Sequence, residues 1–154
     1  MKFSLKDNIN IIKKVKAERK KIVFTNGCFD LLHVGHIRYL AQAKKLGDFL
    51  IIGLNSDSSV KVLKGKDRPI NSFEDRAVLL SALTSVDLVI KFEELTPENL
   101  IKEIIPDVLV KGGDYNIEDI VGFQTVIQNG GIVKSLSFYD GYSTTNYIKK
   151  INKP

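Results

Sequence analysis

The chain of 154 residues has little of what marks membrane, secreted or disulfide-rich proteins. Its single cysteine, Cys28, cannot form an internal disulfide, which is typical of the reducing cytosol. No apolar run approaches the roughly 18 residues of a membrane span, and the longest, residues 49–54, has the length of a strand. The first residues lack the apolar segment of a signal peptide. These absences exclude a membrane protein and a secreted scaffold, so we expect a cytoplasmic globular domain.

Charge of one sign is in only small excess: 23 Lys and Arg against 18 Asp and Glu, a formal net charge of +5. Part of the excess lies in one run near the start: Lys13, Lys14, Lys16, Arg19, Lys20 and Lys21. Such a run usually forms a solvated helix face, and the alternative is a positive field around a cleft for a phosphate-rich small substrate. No recognisable nucleic-acid-binding module or interleaved aromatic residue accompanies it, so no nucleic-acid partner is expected.

Short β-prone runs alternate with helical patterns along the chain. Residues 49–54 are apolar on both faces, as a buried parallel strand should be. The predicted strands are residues 22–25, 49–54, 86–90, 108–110 and 132–136. This alternation predicts an α/β fold made of a single Rossmann-like domain, with a five-stranded parallel sheet and helices on both faces.

The intervening helices are predicted from apolar residues at helical spacing. An amphipathic helix over residues 1–20 precedes the domain, which we place at residues 21–154. The next helix is predicted from Ile37 to Leu46, with Gly47 as its C-cap, and another from Phe73 to Leu83, with Asn71 or Ser72 as its N-cap. A further helix is predicted to begin after Thr96, with Pro97 in its first turn. The last two are predicted over residues 117–128 and 144–151. Residues 61–68 are expected to form an exposed, mobile loop.

The end of the first predicted strand holds both histidines of the chain, His33 and His36. In open parallel sheets, ligands bind beyond the carboxyl ends of the strands. Gly35 lets a phosphate approach the backbone, and a helix N-terminus there offers free N–H groups. Two imidazoles could then stabilise the charge of a phosphoryl-type transition state. The alternatives are core histidines or a metal pair, but no third ligand has an obvious spacing.

Residues 27–36 read Gly-Cys-Phe-Asp-Leu-Leu-His-Val-Gly-His and resemble the G-x-F-D-x-x-H-x-G-H signature of the cytidylyltransferase-like nucleotidyltransferases. Other segments occur in the order and spacing of the heptose 1-phosphate adenylyltransferase branch of that family, and the resemblance covers residues 21–151. These segments are residues 55–57, 68–70, Arg76, 86–87, 110–115 and 141–148.

The resemblance implies a direct, in-line transfer of AMP from ATP to D-glycero-β-D-manno-heptose 1-phosphate, with release of pyrophosphate, for lipopolysaccharide inner-core or related glycan synthesis. His33 and His36 are then the catalytic pair. Lys61 and Lys64 are expected to reach the β- and γ-phosphates or the sugar phosphate, with a solvated loop as the alternative. Mg²⁺ is expected to be held mainly by the triphosphate, without a metal site in the protein.

The family pattern also implies residues that bind the nucleotide or brace the site. The nucleotide-binding set, besides His36, is Cys28, Phe29, Gly35, Gly112, Asp114, Gly141, Ser143, Thr144 and Thr145. The last three also fit a simple N-cap. Asp30 is expected to order its loop. Asp57, Arg76 and Asp87 match polar positions that either brace the site or form structural ion pairs.

Two other functions compete with this interpretation. The first is a cytidylyltransferase acting on glycerol 3-phosphate or another small alcohol phosphate; residues 138–140 read Phe-Tyr-Asp where glycerol-3-phosphate cytidylyltransferases have Arg-Thr-Glu, which weakens it. The second is a non-catalytic nucleotide-binding regulator, against which the intact histidine pair argues. The expected partners are ATP, the heptose 1-phosphate, a separate sugar kinase in the pathway and a second copy of the chain in a homodimer.

Overall fold

The computed structural model describes residues 2–137, residue 142 and residues 144–151, without the side chains of Asn146 and Lys149. Strands and helices alternate along the chain, except that two helices lie between the second and third strands. In chain order the elements are α1 (Leu5–Ala17), β1 (Ile22–Gly27), α2 (Val34–Lys44), β2 (Phe49–Asn55), α3 (Asp57–Lys64), α4 (Phe73–Ser81), β3 (Leu88–Phe92), α5 (Glu98–Ile104), β4 (Val108–Gly112), α6 (Phe123–Gln128), β5 (Ile132–Leu136) and α7 (Thr144–Ile151). A 3₁₀ turn, Ile117–Asp119, precedes α6.

The five strands form one parallel sheet in the order β3-β2-β1-β4-β5. Val23 of β1 pairs with Leu50 of β2 on one side and Val108 of β4 on the other. The sequence order therefore reverses direction between β1 and β4, and the crevice at the carboxyl ends of these two strands is where such sheets bind ligands. The prediction of a five-stranded Rossmann-like fold is confirmed.

Two hydrophobic clusters cover the two faces of the sheet. Val23 and Val110 belong to the cluster beneath α2 and α4, whereas Phe24 and Leu109 belong to the cluster beneath α1, α5 and α6. Successive residues of a strand point to opposite faces, so this split follows from the apolar runs themselves. Because α1 contributes Ile12 and Val15 to the second cluster, the N-terminal helix packs into the core of the same domain.

Several predicted boundaries are corrected by local contacts. The third strand begins at Leu88 instead of 86, because the side chain of Asp87 accepts a hydrogen bond from Leu50 N at the strand's entrance. The helix predicted over 117–128 is interrupted at Gly122, whose φ of 92° is left-handed and whose Cβ would come within 2.6 Å of Ile101. The N-terminal helix covers Leu5–Ala17 within the predicted 1–20, with Ser4 as its N-cap.

The helix α3 was not predicted, because its sequence is short and polar. Ser56 accepts a hydrogen bond from Ser59 N at 3.2 Å and so caps the helix, which ends before Gly65 with its φ of 102°. Lys61 and Lys64 therefore lie in the last helical turn instead of a mobile loop. Two other caps differ as well: α2 ends with Lys45 as its cap instead of Gly47, and Pro97 itself occupies the N-cap position of α5.

The capping of α4 follows the prediction. Ser72 accepts a hydrogen bond from Asp75 N at 3.2 Å and is the N-cap of a helix that begins at Phe73. In the part of the chain that the structure describes, no helix is both long enough and apolar enough to cross a bilayer.

Candidate active site

A cleft of about 670 Å³ opens at the carboxyl edge of the sheet, at the reversal between β1 and β4. Its walls come from the loop after β1, the start of α2, the end of α3, the end of β4 and the start of α7. The N-termini of α2 and α7 both reach this cleft, since Gly35 and Thr144 line it. Helix N-termini present unpaired N–H groups and a partial positive charge, so the cleft suits an anion.

The two histidines form one stacked unit at the start of α2. Their ring centroids are 3.7 Å apart with an interplanar angle of 16°. His33 is the N-cap of α2, and its Nδ1 accepts a hydrogen bond from His36 N at 3.3 Å. In the neutral ring of His33 the proton is therefore assigned to Nε2, which leaves an N–H free to donate elsewhere.

His36 is held between aromatic rings. The ring of Phe29 contacts the His36 ring edge to face, with the two ring centroids 5.2 Å apart. The backbone of Phe29 has a φ of 45°, which is unusual for a residue with a bulky side chain. The Nδ1 atom of His36 is buried and has no hydrogen-bond partner among the residues that the structure describes. Buried polar atoms without a partner are rare in native proteins.

Both imidazoles are held in their neutral form. The pKa of His36 is lowered to about 4, mainly by burial and then by the neighbouring His33, while a hydrogen bond with the backbone of Leu31 offsets part of these two effects. Burial also lowers the pKa of His33. A bound polyphosphate would raise the pKa of both imidazoles, because nearby negative charge favours the imidazolium form.

This depression predicts a pH dependence of stability. The pKa of His36 in the unfolded chain is about 6.5, so between pH 6.5 and 4 the unfolded state binds more protons than the folded one. The free energy of unfolding is therefore expected to fall as the pH falls through this window, by at most about 3 kcal/mol from His36 at 1.36 kcal/mol per pKa unit. Urea denaturation at several pH values checks this. The His36→Gln variant serves as the comparison and should lose less stability; equal slopes would contradict the assignment.

Gly35 lies directly beneath the His33 ring. A Cβ added there would stand 3.1 Å from His33 Nδ1 and 3.0 Å from Tyr142 Cβ. The glycine therefore makes room for the imidazole and for the segment that precedes α7, a more specific reason than the approach of a phosphate expected from the sequence.

The Gly35→Ala substitution is expected to displace His33 while leaving the fold intact. Overpacking of this kind costs about 1–3 kcal/mol of stability, but the larger effect should be on activity, because His33 loses its alignment with His36. Steady-state kinetics should show a reduced kcat, and thermal melting should show a cooperative transition. Gly130→Ala is a suitable control, since no atom lies within 4 Å of its added Cβ and only the strain of its φ of 80° remains.

Asp30 fixes the loop that leads into α4. The residue is only 2% exposed, and its Oδ1 accepts hydrogen bonds from Ile70 N at 2.8 Å and Asn71 N at 3.0 Å. Its Oδ2 pairs with the guanidinium of Arg68. Burial raises the pKa of Asp30, but the hydrogen bonds from Asn71 and Ile70 and the contact with Arg68 outweigh it, so the pKa is lowered. Asp30 thus anchors this loop as a carboxylate, while its effect on the reaction stays a prediction.

Arg76 lies one layer behind the cleft. Its fully buried guanidinium donates to the carbonyl oxygens of Cys28, Asn55 and Asn71 and to Asp57 Oδ1, at 2.6–3.1 Å. The ends of β1 and β2, the start of α3 and the loop before α4 are joined through this one side chain. Asp57 and Arg76 therefore form an ion pair that supports the site from outside the cleft lining.

Cys28 and Phe29 lie at the end of β1 on the cleft wall. Burial raises the pKa of the Cys28 thiol, so the residue is not an activated nucleophile. The Cys28 carbonyl oxygen is already bonded to Arg76.

The two predicted lysines differ in their position relative to the cleft. Lys64 lines the cleft, whereas Lys61, one turn earlier on α3, is exposed and outside the lining. Asp114 is likewise exposed and outside the lining, although Gly112 at the end of β4 belongs to it.

At the start of α7, Thr144 and Thr145 both line the cleft, and Thr144 Oγ1 donates to Leu31 O at 3.3 Å. The predicted nucleotide contacts of Gly141 and Ser143 lie outside the described residues.

The structure corrects the expectation that Asp87 braces the site. Asp87 precedes β3 and contacts Leu50 N at the start of β2 and Lys44 Nζ, with distances of 2.6 and 2.5 Å. These atoms lie at the amino ends of the strands, the edge opposite the cleft. The alternative of a structural ion pair describes Asp87 correctly.

Several further residues that were not among the predicted site residues line the cleft: Asn26, Asn55, Arg68, Lys111, Tyr115 and Tyr142. Lys111 is the most notable, since its side chain is partly buried and its ammonium group donates to Asn26 Oδ1 at 3.3 Å. Its position as the last charged residue before Gly112-Gly113 at a strand's carboxyl end was the signal that could have identified it.

Within the described residues, no group of three or more His, Cys, Asp or Glu side chains could hold a metal ion. The buried carboxylate beside the cleft, Asp30, already uses both oxygens on Arg68, Ile70 and Asn71.

Comparison with known proteins links this geometry to a family. The family described as cytidylyltransferase-like matches residues 24–150. The bifunctional protein HldE of Haemophilus ducreyi is 62% identical over 139 residues, which cover 90% of this chain and 29% of that protein. The bifunctional protein HldE of Cronobacter sakazakii is 54% identical over 98% of this chain and 32% of its own length. The chain thus spans about three tenths of these relatives.

A solved structure matches almost over its full length. The lipopolysaccharide core biosynthesis protein from Thermoplasma volcanium is 31% identical, with a TM-score of 0.65, and the match covers 80% of this chain and 99% of that one.

Proposed function

The chain belongs to the cytidylyltransferase-like family, and from this premise we propose that it transfers AMP from ATP to D-glycero-β-D-manno-heptose 1-phosphate. Pyrophosphate is the second product. The single observation that carries the proposal is the stacked pair of His33 and His36 at the N-terminus of α2, inside a cleft bounded by a second helix N-terminus. Such a site is suited to a triphosphate and to the charge that develops during its cleavage.

The reaction is a direct displacement at the α-phosphorus. An oxygen of the sugar phosphate forms a new bond to that phosphorus, the bond to the β-phosphate bridging oxygen breaks, and the electron pair leaves with pyrophosphate. The attacking oxygen is already anionic at neutral pH, so no general base is needed. Catalysis then rests on positioning and on stabilising charge.

The residues of the cleft have separate roles in this scheme. His33 donates from Nε2 and His36 meets the same phosphates, so both stabilise the pentavalent transition state. Lys64, on the wall formed by α3, and Thr144 and Thr145, at the start of α7, would hold the leaving pyrophosphate, and their presence in the cleft lining supports this role. Mg²⁺ on the triphosphate oxygens would neutralise further charge.

The proposal of the heptose substrate and of ATP is supported by the similarity of this chain to known proteins. The solved structure at 31% identity is named for lipopolysaccharide core biosynthesis, and the chain resembles the heptose branch along residues 21–151. The same resemblance supports a cytoplasmic enzyme, a sugar 1-phosphate supplied by a kinase, and a homodimer.

A substrate panel tests the proposal. The purified protein with Mg²⁺ receives ATP or CTP, each paired with the β-heptose 1-phosphate or glycerol 3-phosphate, and pyrophosphate release is measured. Turnover with ATP and the heptose phosphate alone is the expected result. Turnover with CTP and glycerol 3-phosphate would keep the mechanism and overturn the substrates. Binding of ATP without turnover of any pair would favour a nucleotide-binding regulator.

A further inference from the structure

A second, smaller compartment adjoins the main cleft. Its volume is about 170 Å³, and it shares Asn26, Leu95, Lys111 and Tyr115 with the cleft. Its remaining wall is formed by Thr96, Pro97 and residues 119–121. Because pockets for drug-sized ligands measure about 300–1,000 Å³, this compartment has room for one small ring and not for a nucleoside triphosphate.

The alternation of strand side chains explains where the compartment lies. Ile22 and Phe24 of β1, and Leu109 of β4, belong to the cluster beneath α5 and α6. Asn26 and Lys111 follow them at a spacing of two and therefore point to the same face. The cluster ends at these two polar residues, and the compartment begins there. The histidines, by contrast, are carried by α2 on the other face of the sheet.

Lys111 brings an unneutralised positive charge to the junction. Its Nζ donates to Asn26 Oδ1 at 3.3 Å, and none of the described carboxylates lies within 4.0 Å of it. Burial lowers its pKa, Cys28 acts in the opposite direction and Lys64 lowers it further. A partly buried ammonium group that donates to one amide oxygen, with no carboxylate beside it among the described residues, has N–H donors left for an anion.

We propose that Lys111, oriented by Asn26, binds the phosphate of the acceptor, and that the adjoining compartment holds the acceptor's sugar ring. This inference rests on the proposed function and assigns its second substrate a place. The triphosphate lies toward the histidines and α7, and the acceptor lies toward α5 and α6. The attacking oxygen then approaches the α-phosphorus from the side opposite the leaving pyrophosphate, as in-line displacement requires.

Polar groups in the small compartment suit sugar hydroxyls. Asp119 offers carboxylate oxygens, Thr96 offers a hydroxyl, and Tyr115 offers a ring face together with a phenol. Glycerol 3-phosphate has no ring to cover the Tyr115 face and fewer hydroxyls to pair with Asp119 and Thr96, which gives the site a means of preferring a sugar 1-phosphate.

The Lys111→Met variant tests the assignment, because methionine keeps the apolar stem and removes the charge. We expect kcat/KM for β-heptose 1-phosphate to fall by about 100-fold, the size of a lost charge-assisted contact, while the Kd for ATP, measured by calorimetry, changes less than twofold. Lys134→Met is the matched control: it removes the same charge from an exposed position of β5, outside the cleft lining, and should leave both values unchanged.

A second variant and a binding experiment distinguish failure of this inference from failure of the proposed function. Asp119→Asn should raise the KM for the heptose phosphate and leave the KM for ATP unchanged. Calorimetric titration of β-heptose 1-phosphate into the wild type should give binding that Lys111→Met weakens, even if no turnover is seen. Normal acceptor kinetics in Lys111→Met, an equal loss of ATP affinity, or no binding by the wild type would each overturn the inference. Acceptor binding lost in Lys111→Met, with turnover only from CTP, would support it and overturn the nucleotide of the proposed function instead.

Discussion

Replacing His36 by alanine is expected to lower kcat for nucleotidyl transfer by about 10²- to 10³-fold, the effect of removing one donor aimed at developing charge. The ring of His36 stacks on His33 and meets the edge of Phe29, so its position is fixed before any substrate binds. Stabilisation that is already in place costs no reorganisation during the reaction. The effect should therefore fall on kcat more than on the KM for ATP.

His33→Ala is expected to give a loss of similar size, and the double variant should lose less than the product of the two single losses. The two rings act as one unit, because His33 Nδ1 accepts the N–H of His36. Single-turnover kinetics with saturating ATP would measure the chemical step directly. Lys45→Ala, at the opposite end of α2, is the control for changes in the helix.

A different outcome would change the role assigned to His33 and His36. If His36→Ala raised the KM for ATP and left kcat unchanged, the imidazole would contribute only to binding of the ground state. Circular dichroism and a cooperative urea transition are needed beside the kinetics. They separate a lost donor from a displaced loop.

The fold was predictable because each strand contains a short run of apolar, partly β-branched residues between turn or helix signals. Residues 49–54, apolar on both faces, could only be a buried strand, and β2 occupies nearly the same range. The missed element, α3, has no apolar stripe of its own length, and its existence depends on the Ser56 cap. Gly122 breaks the predicted helix over 117–128 because of Ile101, which is distant in sequence.

The site was predictable only where its residues are close together in sequence. His33, Gly35 and His36 share one helix start, so their spacing alone brings them together. Lys111 and Asn26 are 85 residues apart, and only the pairing of β1 with β4 joins them. The sequence left two roles open for Asp87, and its contacts with Leu50 N and Lys44 Nζ lie at the amino ends of the strands, where its place at the start of the predicted strand over 86–90 already put it.

Arg76 shows how the scaffold carries the site. The guanidinium is fully buried and makes four hydrogen bonds, three of them to carbonyl oxygens of segments that end at the cleft. Its charge is matched by Asp57, whose side chain is 40% exposed. The planar fork of arginine serves these acceptors at once, which a lysine ammonium cannot do.

Arg76→Met is therefore expected to destabilise the fold by about 3–5 kcal/mol, since the carbonyl oxygens of Cys28, Asn55 and Asn71 lose their donor together. That is a large part of the 5–15 kcal/mol by which domains are usually stable. Arg76→Lys should recover little of it. Asp57→Ala should cost less, about 1–3 kcal/mol, because Arg76 keeps its three carbonyl acceptors but its buried guanidinium loses the carboxylate that matches its charge. Urea denaturation at pH 7 measures all three; a loss below 1 kcal/mol for Arg76→Met would mean that the strand ends at the cleft hold their arrangement without it.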